Sequence, residues 1–404
     1  MIPVDQALAQ VLAGISQLSA EEVGVSDSLG RVLAQDVASR ITQPRSDVSA
    51  MDGYAVRASD VASVPATLTQ IGESTAGGAF GGSVGEGQTV RIFTGAPVPP
   101  GADAIVIQED TERDGDQITM GEAASLGHFI RPAGLDFKES DVLIPKGRLM
   151  SARDVSLAAA MNIPWLRVTC RPRIAILSTG NELVLPGEPM TQYQIVSSNS
   201  LGLAAFVQAM GGVPINLGIA RDEPDELRAF LEGVAGADML VTIGGASVGD
   251  YDLVKSVLGG EGLDITFSKV AMRPGKPLIF GKLGEKPMLG LPGNPVSAGV
   301  TALLFLLPAM KAMLGREDLG RAPESAALGV GLGANGERQD YMRAGLSADA
   351  DGRLTATPFN EQDSSMLMLF AKADCLIIRP IGAPAAKEGE QVPILRLDQG
   401  SISV

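Results

Sequence analysis

Glycine-rich loops with acidic residues recur in the middle of the chain and could hold an anionic ligand. The segment TIGGASVGDYD (242–252) follows the apolar run MLV and contains Asp250 and Asp252. Its glycines allow a ligand to approach the backbone closely, and its amides could form an anion-binding concavity. Its spacing fits neither a Walker loop nor a GxGxxG fingerprint. Taken alone, the segment is equally well a strand-to-helix turn with one of these aspartates as the N-cap.

Carboxylates at several positions are candidate ligands for a hard metal ion. Magnesium prefers oxygen ligands in a phosphate-rich site, where the substrate supplies the rest of its shell. The candidates are Asp52, Glu182, Asp222, Asp250 and Asp252. Taken separately, the further candidates Asp52, Glu182 and Asp222 are better interpreted as helix caps or solvated surface acids. Asp222 in particular precedes a predicted helix start, where an acid favours the helix dipole.

Two further segments carry groups that suit an anion. KVAMRPGKP places Lys269, Arg273 and Lys276 close together in an otherwise acidic chain, which suits a polyanionic ligand. A solvated basic edge is the alternative. In LPGNPVS, Asn294 is a candidate N-cap and Pro295 a natural first residue of an apolar helix, whose start could hold an oxyanion.

Composition limits the chemistry. The net charge of −15 argues against broad nucleic-acid binding, which needs an extended cationic surface. Cys170 and Cys375 lie far apart in sequence and indicate neither a disulfide framework nor a thiolate zinc site, so a reducing cytoplasm fits. With His128 as the only histidine, histidine-based catalysis and histidine-rich metal sites are disfavoured, and His128 is interpreted as structural.

The pattern of apolar residues predicts the elements that position these groups. Apolar residues at helical spacing predict a first helix from Val4 to Leu18, and a second helix is expected near 29–38. From Pro44 onward, short apolar runs between glycines and prolines predict a β-rich module. Residues 171–315 alternate strands with helices, which predicts a doubly wound, mostly parallel sheet with its ligands at the carboxyl ends of the strands.

The remaining segments complete the expected architecture. STGNE, TIGGASVGDYD and LPGNP are expected at that one sheet edge. After Arg316 the chain is β-rich again, which predicts a small barrel or sandwich. The N-terminus lacks the features of a signal peptide, and the apolar stretch Val296–Met310 falls short of the ~20 residues of a spanning helix. We therefore expect a soluble protein without membrane contact.

Seven motifs, taken in order, carry a family resemblance. They are MDGYAVR (51–57), RIFTGAPVPPGADAIV (91–106), RPAGLDF (131–137), ILSTGNEL (176–183), GGASVGDYD (244–252), KVAMRPGKP (269–277) and GLPGNPVS (290–297). This order resembles the molybdopterin molybdotransferase family, which includes bacterial MoeA and the gephyrin E domain. The resemblance covers essentially the whole chain.

The resemblance implies a fold and a domain division. It implies an elongated four-domain subunit with α/β and β domains: an N-terminal domain, a β-rich insertion, a doubly wound adenylyltransferase-like domain and a C-terminal β-barrel-like domain. The corresponding ranges are 1–43 plus 139–170, 44–138, 171–317 and 318–404. It further implies a homodimer whose cleft lies between domains of two subunits.

The resemblance also implies a reaction and its partners. Members insert molybdenum from molybdate into adenylylated molybdopterin and release AMP in a Mg²⁺-dependent step. Molybdopterin adenylyltransferase and downstream cofactor-handling proteins are the implied partners. Two alternatives remain open: a catalytically silent scaffold that binds a protein partner, and the adenylyltransferase reaction itself. Whether tungstate replaces molybdate is also open.

The site residues are carried over by motif. The implied catalytic residues are Asp52, Thr94, Glu182, Asp222, Asp252, Lys269 and Arg273, with Glu182, Asp222 and Asp252 as magnesium ligands. The implied substrate-binding residues are Gly244, Gly245, Ser247, Lys276, Pro292, Asn294, Pro295, Ser297, Arg131, Asp136, Arg338 and Ser364. Ser365 is nearly as good a match as Ser364, and the sequence departs from the family in having Ala246 in GGASVG and Asn181 in STGNEL.

Overall fold

Short strands dominate residues 1–170 of the computed structural model, which describes residues 1–244, 253–320 and 322–397. The helices of this region are α1 (Val4–Ala13) and α2 (Ala152–Ala160). Its strands are β1 (Ala20–Gly24), β2 (Val37–Ala38), β3 (Val48–Ser49), β4 (Gly53–Val56), β5 (Ala66–Ser74), β6 (Gln88–Ile92), β7 (Ala104–Ile107), β8 (Thr111–Asp114), β9 (Gln117–Met120), β10 (Ile130–Arg131), β11 (Val142–Ile144) and β12 (Trp165–Thr169).

Residues 48–131 form the β-rich module that the sequence predicts. Strands β4 to β9 make one six-stranded sheet in the order β7-β4-β6-β5-β9-β8. The chain enters and leaves this module along paired strands, because β2 pairs with β11 and β3 with β10. Residues on either side of the module share one apolar cluster, which includes Leu33, Met150 and Val168.

The prediction of a second helix near residues 29–38 is wrong. Val32 and Leu33 instead form isolated bridges with Leu149 and Val168, and β2 follows at Val37. The apolar side chains of this segment are buried by pairing with distant strands, so its spacing does not report a helix. The first helix is also shorter than predicted, since α1 ends at Ala13.

The α/β part occupies residues 171–320, apart from those not described. Its helices are α3 (Asn199–Ala209), α4 (Pro224–Leu231), α5 (Leu253–Gly260), α6 (Pro295–Thr301) and α7 (Leu307–Met313). Its strands are β13 (Arg173–Thr179), β14 (Leu183–Val184), β15 (Ile195–Val196), β16 (Val213–Ala220), β17 (Met239–Ile243), β18 (Leu263–Lys269), β19 (Met272–Arg273), β20 (Pro277–Leu283) and β21 (Lys286–Leu291).

Six of these strands form one sheet with helices on both faces. The order is β16-β13-β17-β21-β20-β18. Strands β16, β13, β17 and β21 are mutually parallel, whereas β20 runs antiparallel to both β21 and β18. One face packs on α1, α3, α6 and α7, and the other on α4 and α5. The predicted doubly wound, mostly parallel sheet is confirmed.

One long apolar helix lies in the core of this part. A π-helical turn at Ala302–Leu306 joins α6 to α7, so helical structure runs from Pro295 to Met313. It has 19 residues and is apolar enough to cross a membrane by length and composition, but 83% of its apolar window is buried inside the protein. It is longer than the predicted stretch, and its burial confirms the interpretation as a core helix.

The C-terminal part closes into a small barrel. Its strands are β22 (Glu324–Leu328), β23 (Gln339–Ala348), β24 (Leu354–Pro358), β25 (Cys375–Arg379) and β26 (Gln391–Arg396), with α8 (Leu367–Ala371) between β24 and β25. The pairing β23-β24-β22-β26-β25 is closed by a direct β23–β25 ladder. Strand β19 of the α/β part pairs with β23, so hydrogen bonds between strands join the barrel to the α/β part.

We predict that Gly53→Ala destabilises the β-rich module. A methyl group on Gly53 overlaps the Val106 carbonyl oxygen of the neighbouring strand. Because that atom belongs to the backbone, the strands must separate, at a cost of about 2 kcal/mol. The midpoint of urea-induced unfolding should fall. The control is Gly81→Ala, where a methyl group meets nothing within 4 Å; equal midpoints for the two variants would contradict the prediction.

Candidate functional site

The carboxyl ends of the parallel strands meet at one edge of the six-stranded sheet. The Gly180 N–H donates to the Ala220 carbonyl at 3.1 Å, and the Gly244 N–H donates to the Leu291 carbonyl at 3.1 Å. Four strand ends are therefore held side by side. Gly244 has φ 90°, and a methyl group there would lie 2.7 Å from the Thr179 carbonyl oxygen. The close packing of strand ends at this position thus requires glycine.

Two of the predicted acidic ligands lie at this edge. Glu182 follows β13 and Asp222 follows β16, and both side chains are exposed. The Asp222 N–H donates to Asn181 Oδ1 at 3.2 Å, which ties the two loops together. Asn181, the residue that departs from the family motif, thus serves as an acceptor between loops.

The third predicted ligand cannot be placed beside them. Gly245, Ser247, Asp250 and Asp252 lie outside the described residues, as does most of the segment TIGGASVGDYD. Within the described ranges, no group of three His, Cys, Asp or Glu side chains is close enough to hold a metal ion. Glu182 and Asp222 offer hard carboxylate oxygens, the donor type that Mg²⁺ prefers.

The basic segment reaches the same edge. β18 runs parallel to β21, since each is antiparallel to β20, so Lys269 at the end of β18 lies at the carboxyl edge. The Val270 N–H donates to the Lys276 carbonyl at 3.0 Å and closes the loop that carries Arg273. All three cationic side chains are exposed. Arg273 is ion-paired with Asp340 of β23, a carboxylate that is only 4% exposed.

The LPGNP loop contacts the C-terminal barrel. Asn294 occupies the N-cap position of α6 and Pro295 its first turn, as predicted, but the Asn294 side chain does not cap the helix. Its Nδ2 donates to Ser364 Oγ at 2.7 Å, and the Val296 N–H donates to the Ser364 carbonyl at 3.0 Å. A backbone carbonyl from the barrel thus satisfies a free N–H of the helix start. Pro292 and Ser297 are buried beside this contact.

Arg343 holds the loop that carries Ser364. Its guanidinium is nearly fully buried and donates to the Asp363 carbonyl at 2.8 Å and to the Glu361 and Met366 carbonyls at 3.4 Å. Its backbone N–H donates to Gln362 Oε1 at 2.9 Å. Burial lowers the pKa of Arg343.

The sequence interpretation did not include Arg343, and it assigned Arg338 to substrate binding. Arg338 is half-buried, and its carbonyl accepts from Asn335 Nδ2 at 2.9 Å. The available signal was the arginine inside the strand DYMRAGL, because a charged residue at a buried strand position needs partners. Arg343 positions the Ser364 loop, and the assignment of Arg338 to substrate binding stays a prediction.

Ser364 and Ser365 face different partners. The Ser365 N–H and Oγ both donate to Asp363 Oδ1, at 2.8 and 2.6 Å. These bonds stabilise the carboxylate, so the pKa of Asp363 is lowered. Ser365 is therefore occupied within its own loop, while Ser364 faces Asn294 across the contact between barrel and sheet.

The β-rich module carries a second polar cluster. The Thr94 N–H and Oγ1 both donate to Asp52 Oδ1, at 2.7 and 2.8 Å. The backbone and side-chain bonds from Thr94, and the nearby Arg91 charge, lower the pKa of Asp52. The Arg91 guanidinium also donates to the Gly53 carbonyl at 3.0 Å and lies 5.1 Å from the centre of the Tyr54 ring. The structure therefore brings Asp52 and Thr94, two of the predicted catalytic residues, into direct contact.

Two further predicted site residues, Arg131 and Asp136, lie where the chain leaves this module. Arg131 is an exposed residue of β10. Asp136 is exposed, and its backbone N–H donates to the Gln43 carbonyl at 3.0 Å. Asp52, Thr94 and Asp136 all bond to neighbours within residues 1–170, whereas the sheet edge is built from residues beyond 171.

An apolar cavity lies away from both clusters. It has a volume of about 230 Å³ and lies between α1, α7 and the barrel. Its lining is mainly aliphatic, and its polar groups come from Asp5, Lys311, Gln339 and Tyr341. None of the predicted site residues lines it, so the candidate site is the exposed sheet edge.

Three family models cover most of the chain. Residues 2–162 match the MoeA N-terminal region (domain I and II), residues 175–312 match the probable molybdopterin binding domain, and residues 325–397 match the MoeA C-terminal region (domain IV). The sheet edge and the Ser364 loop therefore belong to different matched regions.

Relatives of known name are similar over nearly the whole chain. A molybdopterin molybdenumtransferase of Nostoc sp. is 35% identical, and the alignment covers 95% of this chain and 90% of the relative. One from Haemophilus influenzae is 33% identical and covers 98% of each chain. The crystal structure of a molybdopterin biosynthesis MoeA protein from Pyrococcus horikoshii superposes with a TM-score of 0.85, 32% identity and 98% coverage of each chain.

We predict that Thr94→Val raises the pKa of Asp52 towards its ordinary value. The substitution removes the hydroxyl bond and keeps the larger contribution of the backbone N–H, so the rise is partial. In the native protein the carboxylate and its bonds persist above the ordinary pKa and are lost as the pH falls through the lowered one. Carboxyl ¹³C chemical shifts, followed against pH, measure both values. An unchanged Asp52 pKa in the variant would count against the Thr94 contact.

We predict that Arg343→Met loosens the Ser364 loop. The substitution removes the donor to the carbonyls of Glu361, Asp363 and Met366, and a hydrogen bond that involves a charged group contributes about 1.5–3 kcal/mol. Amide hydrogen exchange across 360–366 should become at least about tenfold faster. The matched control is Arg338→Met, which should leave this exchange near the native rate. Equal acceleration in both variants would refute the assignment to Arg343.

Proposed function

The chain belongs to the MoeA family of molybdopterin molybdenumtransferases, and from this membership we propose that it inserts molybdenum from molybdate into adenylylated molybdopterin with release of AMP. It is a transferase of molybdenum cofactor biosynthesis. The observation that best supports the finer reaction is the convergence of acidic, basic and barrel-derived polar groups at one sheet edge.

The two anionic substrates are assigned to different parts of this edge. Lys269, Arg273 and Lys276 supply positive charge for the phosphates of the adenylylated pterin. Asn294 and Ser364, at the start of α6, supply hydrogen-bond donors for molybdate. Holding both anions in neighbouring positions couples metal insertion to cleavage of the phosphoanhydride that joins AMP to the pterin phosphate.

The acidic loops are assigned to the cleavage step. Glu182 and Asp222 orient the water that attacks the phosphoanhydride, and with Asp252 they are the proposed ligands of Mg²⁺. The donor type fits this ion, because exposed carboxylates leave room for phosphate and water oxygens in its shell. A bound Mg²⁺ would neutralise charge on the phosphates.

The wider organisation follows the same family. We divide the chain into 1–43 plus 139–170, 44–138, 171–317 and 318–404. Apolar clusters within these parts support the division, while the largest cluster joins α1 and barrel residues to the α/β sheet. In a homodimer, the Asp52–Thr94 cluster of one subunit faces the sheet edge of its partner. Adenylylated molybdopterin comes from molybdopterin adenylyltransferase. The molybdenum-loaded product passes to cofactor-handling proteins in the cytoplasm.

Release of AMP tests this function. Purified protein with adenylylated molybdopterin, molybdate and Mg²⁺ should release AMP, and Glu182→Gln should reduce the rate at least about 100-fold, because it removes a charged group that acts on the reacting water. Glu223→Gln, at an exposed acid beside Asp222, is the matched control and should retain the native rate.

Other outcomes distinguish the alternatives. Absence of AMP release above the blank would refute the proposed reaction. Consumption of ATP with free molybdopterin would identify an adenylyltransferase, and tight binding of a protein partner without any binding of pterin would identify a scaffold.

A further inference from the structure

The side chain of Asn199 connects two loops of the carboxyl edge. Asn199 is the first residue of α3, and its Nδ2 donates to the Gly293 carbonyl at 2.7 Å. Gly293 lies between Pro292 and Asn294 in the LPGNP loop. The sequence motifs leave Asn199 without a role, although this bond joins segments 94 residues apart.

Asn199 is fixed relative to the Glu182 loop. β14 and β15 pair just before α3, and the Ile195 N–H donates to the Glu182 carbonyl at 2.8 Å. The Ser197 N–H donates to the Val184 carbonyl at 2.8 Å, and Ser197 Oγ lies 3.4 Å from Ser178 Oγ in β13. The start of α3 is therefore joined by hydrogen bonds to the backbone of the Glu182 loop.

The LPGNP loop depends on contacts from its surroundings. Pro292 and Pro295 have no N–H to donate, so the loop has few means of holding itself. A methyl group on Gly293 would lie 3.7 Å from the Gly244 Cα, so the loop also packs on the end of β17. Beyond Gly293, Asn294 donates to Ser364 of the barrel.

We propose that Asn199 is a positioning residue for the reaction. It fixes the Gly293 carbonyl, and through it the orientation of Asn294 and the contact with Ser364. This hydrogen bond thereby links the segment bonded to the Glu182 loop to the proposed molybdate donors, in addition to the strand pairing of the sheet. This inference rests on the proposed function, because it assigns molybdate to the Asn294–Ser364 contact.

The test is the substitution Asn199→Asp. It keeps the shape of the side chain, removes the N–H donor and places a carboxylate oxygen against the Gly293 carbonyl. The molybdate concentration for half-maximal AMP release should rise about tenfold, the scale of a hydrogen bond exchanged for a repulsive contact, while kcat stays within about twofold. The matched control is Asn216→Asp, which adds the same charge at an exposed position whose Oδ1 already accepts from the Gly218 N–H.

A double-mutant cycle separates positioning from general loss of structure. If Asn199 acts through Ser364, Asn199→Asp should add little to the effect of Ser364→Ala on the half-maximal molybdate concentration. The proposal would be overturned if the effects of Asn199→Asp and Ser364→Ala on the half-maximal molybdate concentration multiplied in the double variant. A loss confined to kcat, or an unchanged molybdate dependence in Asn199→Asp, would also overturn it. Should Asn199→Asp fail to fold by circular dichroism, Asn199→Ala takes its place, with a smaller expected rise of about threefold because it only removes the hydrogen bond. Failure of the native protein to release AMP would instead refute the proposed function.

Discussion

Strand direction in the six-stranded sheet is the constraint on which the rest of the structure depends. Parallel pairing of β13, β16, β17 and β21 forces their carboxyl ends to the same edge, and two antiparallel steps return β18 to the same direction. Chain segments far apart in sequence therefore deliver their loops to one line. If any one of these strands ran in the opposite direction, its loop would lie at the opposite edge of the sheet and the site would be incomplete.

The contact between barrel and sheet satisfies groups that neither part can satisfy alone. The start of α6 leaves N–H groups free, and the Ser364 carbonyl accepts one of them. Asp340 is a buried carboxylate of the barrel, and its charge is offset by Arg273 of the α/β part. Polar groups thus define the relative placement of the two parts, and the donors Arg273, Asn294 and Ser364 at this contact are candidates for binding anions.

Much of the α/β part was predictable because its segments are locally consistent. RIAILSTG, INLGIA and DMLVTIGG all form the expected strands, since continuous apolar runs between turn residues have few other stable structures. The segment 29–38 failed for the opposite reason. Its apolar residues are buried by bridges to residues over 100 positions away, which no local periodicity records.

The sequence by itself determined the residue types, the motif order and hence the family, the doubly wound sheet and the edge at which its loops gather. Only the tertiary structure decided that Asn294 bonds Ser364 instead of capping its helix, that Arg343 holds the Ser364 loop, and that Asn199 reaches Gly293. Local patterns specify strands and helices through backbone preference and burial. A hydrogen bond between side chains of distant segments depends on distances that exist only after those elements have packed.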